Sequence, residues 1–183
     1  MKKKIKGIND IIFNNKIESQ WAYIFEKLKL EWKYKPIDLD LNGYQPPFII
    51  KFNNEEFLIE IIGDANIWKK EVYKPVIDKI LNSGWKGQFG ILGSLYKISN
   101  DGNKKINVGK LYQNKWDFTN MDDNDDNNID DLLIVYSDKI NKYFVDGLEN
   151  KYILDSPEYD KNDIDICEYF QKLWIESKLI YKN

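Results

Sequence analysis

Hydrophobic and polar residues follow two spacings in the first part of the chain, and each spacing predicts a different element. From Ile17 to Leu30 apolar residues recur every three or four positions, which predicts an amphipathic helix. Phe48–Phe52 and Phe57–Ile62 are β-branched and aromatic runs on either side of the turn formers Asn53 and Asn54, and they predict a β-hairpin. The helix is expected to bury Ile17, Trp21, Ile24, Phe25 and Leu28.

Two more strands are predicted between the helix and the hairpin. Trp32–Tyr34 is the first, and the second ends at Gly43 after an alternation of apolar and polar residues from Ile37 onward. Asp38 and Asp40 fall on one face of the second strand. A metal site is one explanation for them, and ordinary solvent-facing polar positions are the simpler one.

A β-α-β unit is predicted after the hairpin. Trp68–Leu81 has helical spacing, and Pro75 within it predicts either a kink or a helix that starts near Lys74. Gln88–Gly93 then predicts a core strand parallel to Phe57–Ile62, with a right-handed crossover.

The remaining chain predicts mainly strands. Leu95–Ile98 and Ile106–Tyr112 flank a turn-forming segment at residues 99–103 and predict a second hairpin. Three further strands are predicted at Leu132–Tyr136, Lys142–Val145 and Tyr152–Leu154. A closing amphipathic helix is predicted over Ile164–Ile180, with an apolar stripe formed by Cys167, Phe170, Trp174 and Leu179.

Length and composition place these elements in a single α/β domain. The chain has 183 residues, of which 43% are hydrophobic, enough for a buried core. We expect a basic lead-in over residues 1–16, a core over 17–93, and a β-rich extension over 94–183 that includes an acidic loop at 117–131 and the closing helix. No apolar run approaches the ~20 residues of a membrane span, so a cytoplasmic protein without a membrane partner is expected.

Missing residue types exclude several chemistries. Because the sequence has no histidine, it cannot form a Ser-His-Asp triad, a Cys-His nucleophile or a histidine-ligated metal site. Cys167 is the only cysteine, so one chain forms neither a disulfide nor a cysteine zinc site. All 27 basic residues are lysines, and arginine is therefore absent as a bidentate ligand for phosphate or guanine.

Charge is distributed unevenly along the chain. Residues 1–116 contain 20 lysines and 13 acidic residues, whereas residues 117–183 contain 7 lysines and 17 acidic residues. This polarity favours binding of a partner or self-association, including a homodimer, although ordinary variation of surface charge also accounts for it. The acidic loop at 117–131 lacks the glycine and the closing glutamate of a calcium loop, and it is interpreted as a solvated loop or as a phosphate mimic for a basic partner.

Glu60 is the one residue out of place in the predicted hairpin. It lies within the apolar run Phe57–Gly63, which predicts a buried central strand. An ionised carboxylate there is costly unless another group pairs with it.

The order of several short motifs resembles the PD-(D/E)XK nuclease superfamily. The chain reads I-E-S-Q-W-A-Y-I-F from Ile17, W-K-Y-K-P from Trp32, Y-Q-P-P-F from Tyr44 and E-I-I-G from Glu60. It looks like small phage and bacterial members that read L-E-x-x-W-A-x-F-F, W-x-Y-E-P, Y-x-P-D-F and E-V-K-G in that order. The resemblance covers the first third to half of the chain. It implies a restriction-endonuclease-like mixed β-sheet core flanked by helices, with an added β-hairpin and a C-terminal helix.

The resemblance also implies a loss of catalysis. In that family the Asp of P-D-F and the Glu of E-x-K bind a divalent metal, and the Lys positions or activates the attacking water. Those positions hold Pro47, Glu60 and Ile62 here. Only Glu60 and the helical Glu18 carry over, and two carboxylates are few for phosphodiester cleavage with Mg²⁺ or Mn²⁺. Glu18 is expected either to face this site or to pair with a lysine at the boundary of the helix.

An active alternative stays open, in which the site has moved. Some nuclease relatives carry the catalytic lysine on a neighbouring helix. A rebuilt site would then use Glu18, Glu60, Asp64 and either Lys69 or Lys70, with Glu60 and Asp64 holding Mg²⁺ or Mn²⁺.

The second predicted hairpin offers a candidate nucleic-acid surface. Aromatic residues interleave with lysines along it, a pattern that can stack bases beside neutralised phosphates. An amphipathic hairpin that only covers the core is the competing explanation. The candidate contacts are Lys97, Lys104, Lys105, Lys110, Tyr112 and Lys115.

From the sequence we expect a non-catalytic, nuclease-like protein that binds a nucleic acid or a nucleic-acid-handling protein. A phage anti-defence (anti-CRISPR-like) inhibitor is one such protein. The competing expectations are a metal-dependent DNA or RNA nuclease with a relocated site, and an interaction module that never touches nucleic acid.

Overall fold

Ten strands and three helices occur in the part of the chain that the computed structural model describes, which comprises residues 5–6, 10–37, 41–52, 55–63, 67–98, 105–112, 129–137, 142–146, 151–155 and 166–179. In chain order they are β1 (Ile5–Lys6), β2 (Ile12–Phe13), α1 (Lys16–Lys27), β3 (Glu31–Tyr34), β4 (Phe48–Phe52), β5 (Glu55–Ile62), α2 (Lys70–Asn82), β6 (Phe89–Ile98), β7 (Lys105–Tyr112), β8 (Ile129–Ser137), β9 (Lys142–Asp146), β10 (Lys151–Asp155) and α3 (Ile166–Leu179).

Eight of these strands form one mixed sheet in the order β3-β4-β5-β6-β7-β8-β9-β10, and β1 pairs with β2 separately. Neighbours in the sheet are antiparallel except β5 and β6, which run parallel. The chain between the parallel pair contains α2, so the β-α-β unit and the α/β class predicted from the sequence are confirmed.

Apolar side chains pack on both faces of the sheet because successive residues of a strand point to opposite sides. On β5, Phe57 and Ile59 belong to the cluster that includes α1 and α3, whereas Leu58 belongs to the cluster that includes α2. The helices therefore cover the two faces. On the α1 side, Trp21 Nε1 donates a hydrogen bond of 2.9 Å to the carbonyl oxygen of Gly93.

Helix α1 begins and ends as its capping chemistry dictates. Asn15 is its N-cap, and the side chain of Asn15 accepts a hydrogen bond from the backbone N–H of Glu18. The helix ends at Lys27, earlier than the predicted Leu30, because Lys29 adopts a left-handed conformation with φ of 53°. The N–H of Leu30 then donates to the carbonyl of Phe25, which closes the last turn.

One prediction near the core was wrong, and one of the two alternatives at Pro75 is excluded. The strand predicted to end at Gly43 is replaced over residues 41–43 by a turn, in which Tyr44 N–H donates to the carbonyl of Leu41, and residues 38–40 with Asp38 and Asp40 lie outside the described part. Helix α2 does not start near Lys74. It starts at Lys70 and continues through Pro75, its sixth residue, where the helix lacks one backbone N–H donor.

The later strands differ from prediction mainly in length. The strand predicted at Gln88–Gly93 and the first strand of the second predicted hairpin form one strand, β6, with an irregularity between Leu92 and Lys97. β8 starts at Ile129, so the end of the predicted acidic loop is strand, and residues 117–128 lie outside the description.

Helix α3 confirms part of the predicted apolar stripe. Phe170 and Trp174 are buried, but Leu179 is 54% exposed and was wrongly assigned to the stripe. The side chain of Cys167 lies outside the described part. None of the helices in the described ranges has the length and apolar character that crossing a bilayer requires.

We expect Gly109→Ala to lower the free energy of unfolding by roughly 1–3 kcal/mol or more, because a Cβ at this position would overlap the carbonyl oxygen of Ile91 on the neighbouring strand. Gly63→Ala is the matched control, since its Cβ would meet only the flexible Cδ1 of Ile17 at 3.2 Å. Urea unfolding of both variants measures the difference. Equal effects would contradict the close approach of β6 and β7.

Candidate functional site

The motif positions Pro47 and Glu60 both lie at the open end of the β4–β5 hairpin. The last paired residues there are Phe48 and Ile59, so Pro47 precedes and Glu60 follows the end of the β4–β5 pairing by one residue. Nearby, Gly63 lies against Ile17 at the start of α1. The carboxyl end of β5 therefore meets the amino end of the helix that carries Glu18.

Glu60 is paired with a tyrosine. The hydroxyl of Tyr44 donates a short hydrogen bond to Oε2 of Glu60, and both side chains are partly buried. Tyr44 reaches this position because it follows the turn at residues 41–43, in which Asn42 and Gly43 have left-handed φ angles of 52° and 79°. The turn thus supplies the partner that an internal carboxyl needs.

Burial is the dominant influence on the protonation of this pair. It raises the pKa of the Glu60 carboxyl above its ordinary value of 4.5, and the Glu18 carboxylate raises it further, while the Tyr44 hydroxyl and Lys79 oppose the shift. Burial, followed by the charge of Glu60, also raises the pKa of the Tyr44 hydroxyl. Tyr44 therefore stays protonated and acts as a donor to Glu60.

Lys79 completes this cluster from the last turn of α2. Its Nζ lies 4.5 Å from the centroid of the Tyr44 ring, a cation–π distance, and its charge acts on Glu60. Sequence reasoning did not assign Lys79 or Tyr44 to the site. Two features of the sequence could have indicated them: Lys79 falls among the apolar positions of the predicted helix Trp68–Leu81, and Tyr44 begins the Y-Q-P-P-F motif.

Glu18, like Glu60, accepts a hydrogen bond from a tyrosine hydroxyl. Although only 5% exposed, its carboxylate accepts hydrogen bonds from the Tyr34 hydroxyl (2.6 Å), the Asn14 backbone N–H (3.0 Å) and Asn15 Nδ2 (2.8 Å). Its described partners are thus a hydroxyl and amides, not the lysine that the sequence suggested. Lys35 Nζ lies 5.5 Å from the Tyr34 ring centroid, which repeats the arrangement around Tyr44.

The other proposed catalytic residues do not join this cluster in the described part. Lys69 is the N-cap of α2 and Lys70 its first residue, whereas Lys79 lies near the other end of that helix. About nine residues of helix separate Lys70 from Lys79, or roughly 14 Å along the axis, so Lys69 and Lys70 do not share the position of Lys79. Asp64 lies outside the described residues.

The predicted nucleic-acid surface is described only in part. Lys110 is partly buried, and its Nζ lies 5.6 Å from the centroid of the Tyr73 ring on α2, so it does not project freely into solvent. Lys97, Lys105 and Tyr112 lie on β6 and β7 with side chains outside the description. Lys104 and Lys115 lie outside the described residues altogether.

The carboxyl groups of this cluster already accept hydrogen bonds within the chain. Mg²⁺ and Mn²⁺ require several free oxygen ligands. Here the oxygens of Glu18 accept three hydrogen bonds, and Glu60 is occupied by Tyr44. In the described ranges no group of three or more acidic, cysteine or histidine side chains converges. What the arrangement can do is hold two carboxyl groups in fixed positions between tyrosines and lysines.

A comparison of the chain with protein-family models, with curated proteins and with solved structures found no match.

We expect Glu60→Gln to become increasingly stabilising, relative to the parent chain, as the pH rises above 4.5. A carboxyl whose pKa is raised on folding contributes stability at low pH that is lost as the pH rises through the folded-state pKa. Glutamine does not ionise, and its carbonyl oxygen still accepts from Tyr44. Urea unfolding across pH 4–8 tests this, with Glu56→Gln as the exposed control on the same strand. If the unfolding free energy of Glu60→Gln minus that of the parent chain decreased with rising pH, the result would contradict a raised pKa for Glu60.

We expect Glu18→Gln to cost about 1–3 kcal/mol of unfolding free energy, because the new NH₂ group would face hydrogen-bond donors that now share a carboxylate. Glu26→Gln on the exposed side of the same helix is the control, with an expected change within about 0.5 kcal/mol. Thermal and urea unfolding measure both. Indistinguishable variants would argue against the three hydrogen bonds at Glu18.

Proposed function

We propose that this chain is a catalytically degenerate, nuclease-like protein with a restriction-endonuclease-like core, and that it acts by binding. The observation that carries the proposal is the open end of the β4–β5 hairpin. There Pro47 and Glu60 come one residue beyond the last β4–β5 pair, and the Tyr44 hydroxyl donates a hydrogen bond to the Glu60 carboxyl. The position that holds a metal-binding Asp in a cutting relative is thus a proline, and the retained Glu60 accepts a hydrogen bond from a tyrosine.

The position expected for the catalytic lysine supports the same proposal. Ile62 lies two residues after Glu60 on β5, on the same face of the strand, and packs in the apolar cluster with α2. An isoleucine neither donates nor accepts a proton. The side chain at position 62 therefore cannot do what the catalytic lysine does in a nuclease of this kind.

Charge favours a partner from nucleic-acid metabolism. The lysine-rich residues 1–116 suit a nucleic acid, whereas the acidic residues 117–183 suit a basic surface on a nucleic-acid-handling protein. A phage anti-defence (anti-CRISPR-like) inhibitor satisfies both conditions, because it would engage a protein that itself binds nucleic acid.

One observation favours the alternative of a working metal-dependent nuclease. Lys79 stands beside Glu60 on a neighbouring helix, and the Glu18 carboxylate acts electrostatically on Glu60. These are the residue types that a relocated site would recruit. Because the carboxyl groups of Glu18 and Glu60 already accept hydrogen bonds, we rank this alternative second.

An assay for cleavage separates the two functions. We expect no cleavage of single- or double-stranded DNA or RNA in the presence of Mg²⁺ or Mn²⁺. Any activity should be unchanged in Glu60→Ala and in Lys79→Ala, which would mark it as a contaminant. Metal-dependent cleavage that disappears in Glu60→Ala, and persists in the exposed control Glu56→Ala, would establish the nuclease instead.

Gel shifts at two salt concentrations test the nucleic-acid partner. We expect binding that weakens as salt rises, and Lys104→Gln/Lys105→Gln should lower the slope of log K against log salt by about 1 per lost phosphate contact. Lys16→Gln/Lys29→Gln removes the same charge from exposed positions in and beside α1 and serves as the control. No shift at low salt would leave the nucleic-acid-handling protein as the partner.

A further inference from the structure

Strands β9 and β10 carry the same five-residue pattern. Each begins with a lysine and a tyrosine, continues with two apolar residues and ends with an aspartate: Lys142-Tyr143-Phe144-Val145-Asp146 and Lys151-Tyr152-Ile153-Leu154-Asp155. This repeat is independent of the candidate site.

The two copies of the pattern pair antiparallel along their whole length. In the backbone register Lys151 is opposite Asp146 and Asp155 is opposite Lys142, so a lysine position is paired with an aspartate position at each end of the ladder. Residues directly opposite in an antiparallel pair lie on the same side of the sheet and close to each other, and opposite charges there are favourable. The pattern is therefore self-complementary when two copies are antiparallel.

β10 is also the last strand of the sheet. Among the described strands only β9 pairs with it, so its outer edge presents backbone N–H and C=O groups to a further strand. A second copy of β10 has the same charge pattern as β9. If it is aligned about Ile153, Lys151 is opposite the partner subunit's Asp155, and the same contact recurs at the other end by symmetry.

We propose that two copies of this chain associate through the outer edges of β10, antiparallel and about a two-fold axis at Ile153, to form a continuous sheet. The occupant is a second copy because the strand already pairs in this register with its own near-repeat. The tyrosine and apolar centre and the charged ends fix that register, since a shift by one residue would separate lysine from aspartate.

A charge exchange tests the interface without removing the β9–β10 pairing. The double variant Asp146→Lys/Lys151→Asp keeps opposite charges at the paired positions 146 and 151 within the chain. In the proposed dimer, Lys151→Asp places a negative charge opposite the partner subunit's Asp155. Adding Lys142→Asp and Asp155→Lys restores opposite charges at every position. All three proteins have the same net charge, and circular dichroism compares their folds.

Sedimentation velocity over a range of concentrations is the measurement. We expect the parent chain to dimerise, the double variant to dimerise more weakly by on the order of tenfold or more, and the quadruple variant to recover the parent affinity. A parent chain that stays monomeric up to about 1 mM overturns the proposal. A dimer that the double variant leaves unchanged overturns it as well.

A cross-link at the axis is an independent check that needs no change of charge. In a Cys167→Ser background, Ile153→Cys places two thiols opposite each other in the proposed dimer. A short thiol cross-linker should join them, whereas Ile12→Cys, at an exposed position on β2, should remain unlinked. Failure to link position 153 at a concentration where the chain is dimeric would assign the dimer to another surface.

Discussion

The hydrogen bond from Tyr44 to Glu60 is the constraint on which this part of the structure depends. Glu60 lies on β5 in the interior of the sheet, where an ionisable group without a partner would be costly. The partner comes from the turn before β4, and the nearby positive charge comes from Lys79 on α2. Tyr44, Glu60 and Lys79 therefore bring together three elements that are separate in sequence: the turn before β4, strand β5 and helix α2.

A tyrosine hydroxyl donates to a glutamate carboxyl at two places in the structure. Tyr34 donates to Glu18 as Tyr44 donates to Glu60, and in each case a lysine lies over the tyrosine ring. A tyrosine hydroxyl supplies a hydrogen bond without a charge, so the carboxyl group is satisfied without an ion pair. It also occupies an oxygen that a metal would need. The arrangement holds both acidic groups in fixed positions.

The sheet joins the candidate site to the rest of the chain. β6 pairs in parallel with β5 beside Glu60 and continues to Ile98 against β7, so the core and the β-rich extension share one strand. Gly93 and Gly109 permit close packing along this path, the first against Ile67 and the second against Ile91. The sheet then ends at β10, whose outer edge is far along the strand order from β5.

The sequence alone determined most of the elements around the site. The spacing of Trp21, Ile24 and Phe25 predicted α1, and the runs around Asn53 predicted the β4–β5 hairpin, because helical and strand periodicities depend on neighbouring residues. Only the tertiary structure decided what surrounds Glu60. Tyr44 and Lys79 are 16 and 19 residues away from it along the chain, and the contact between them requires the turn, the sheet register and α2 together. Local patterns carry no information about such distant partners, so sequence could mark Glu60 as anomalous but could not identify its partners.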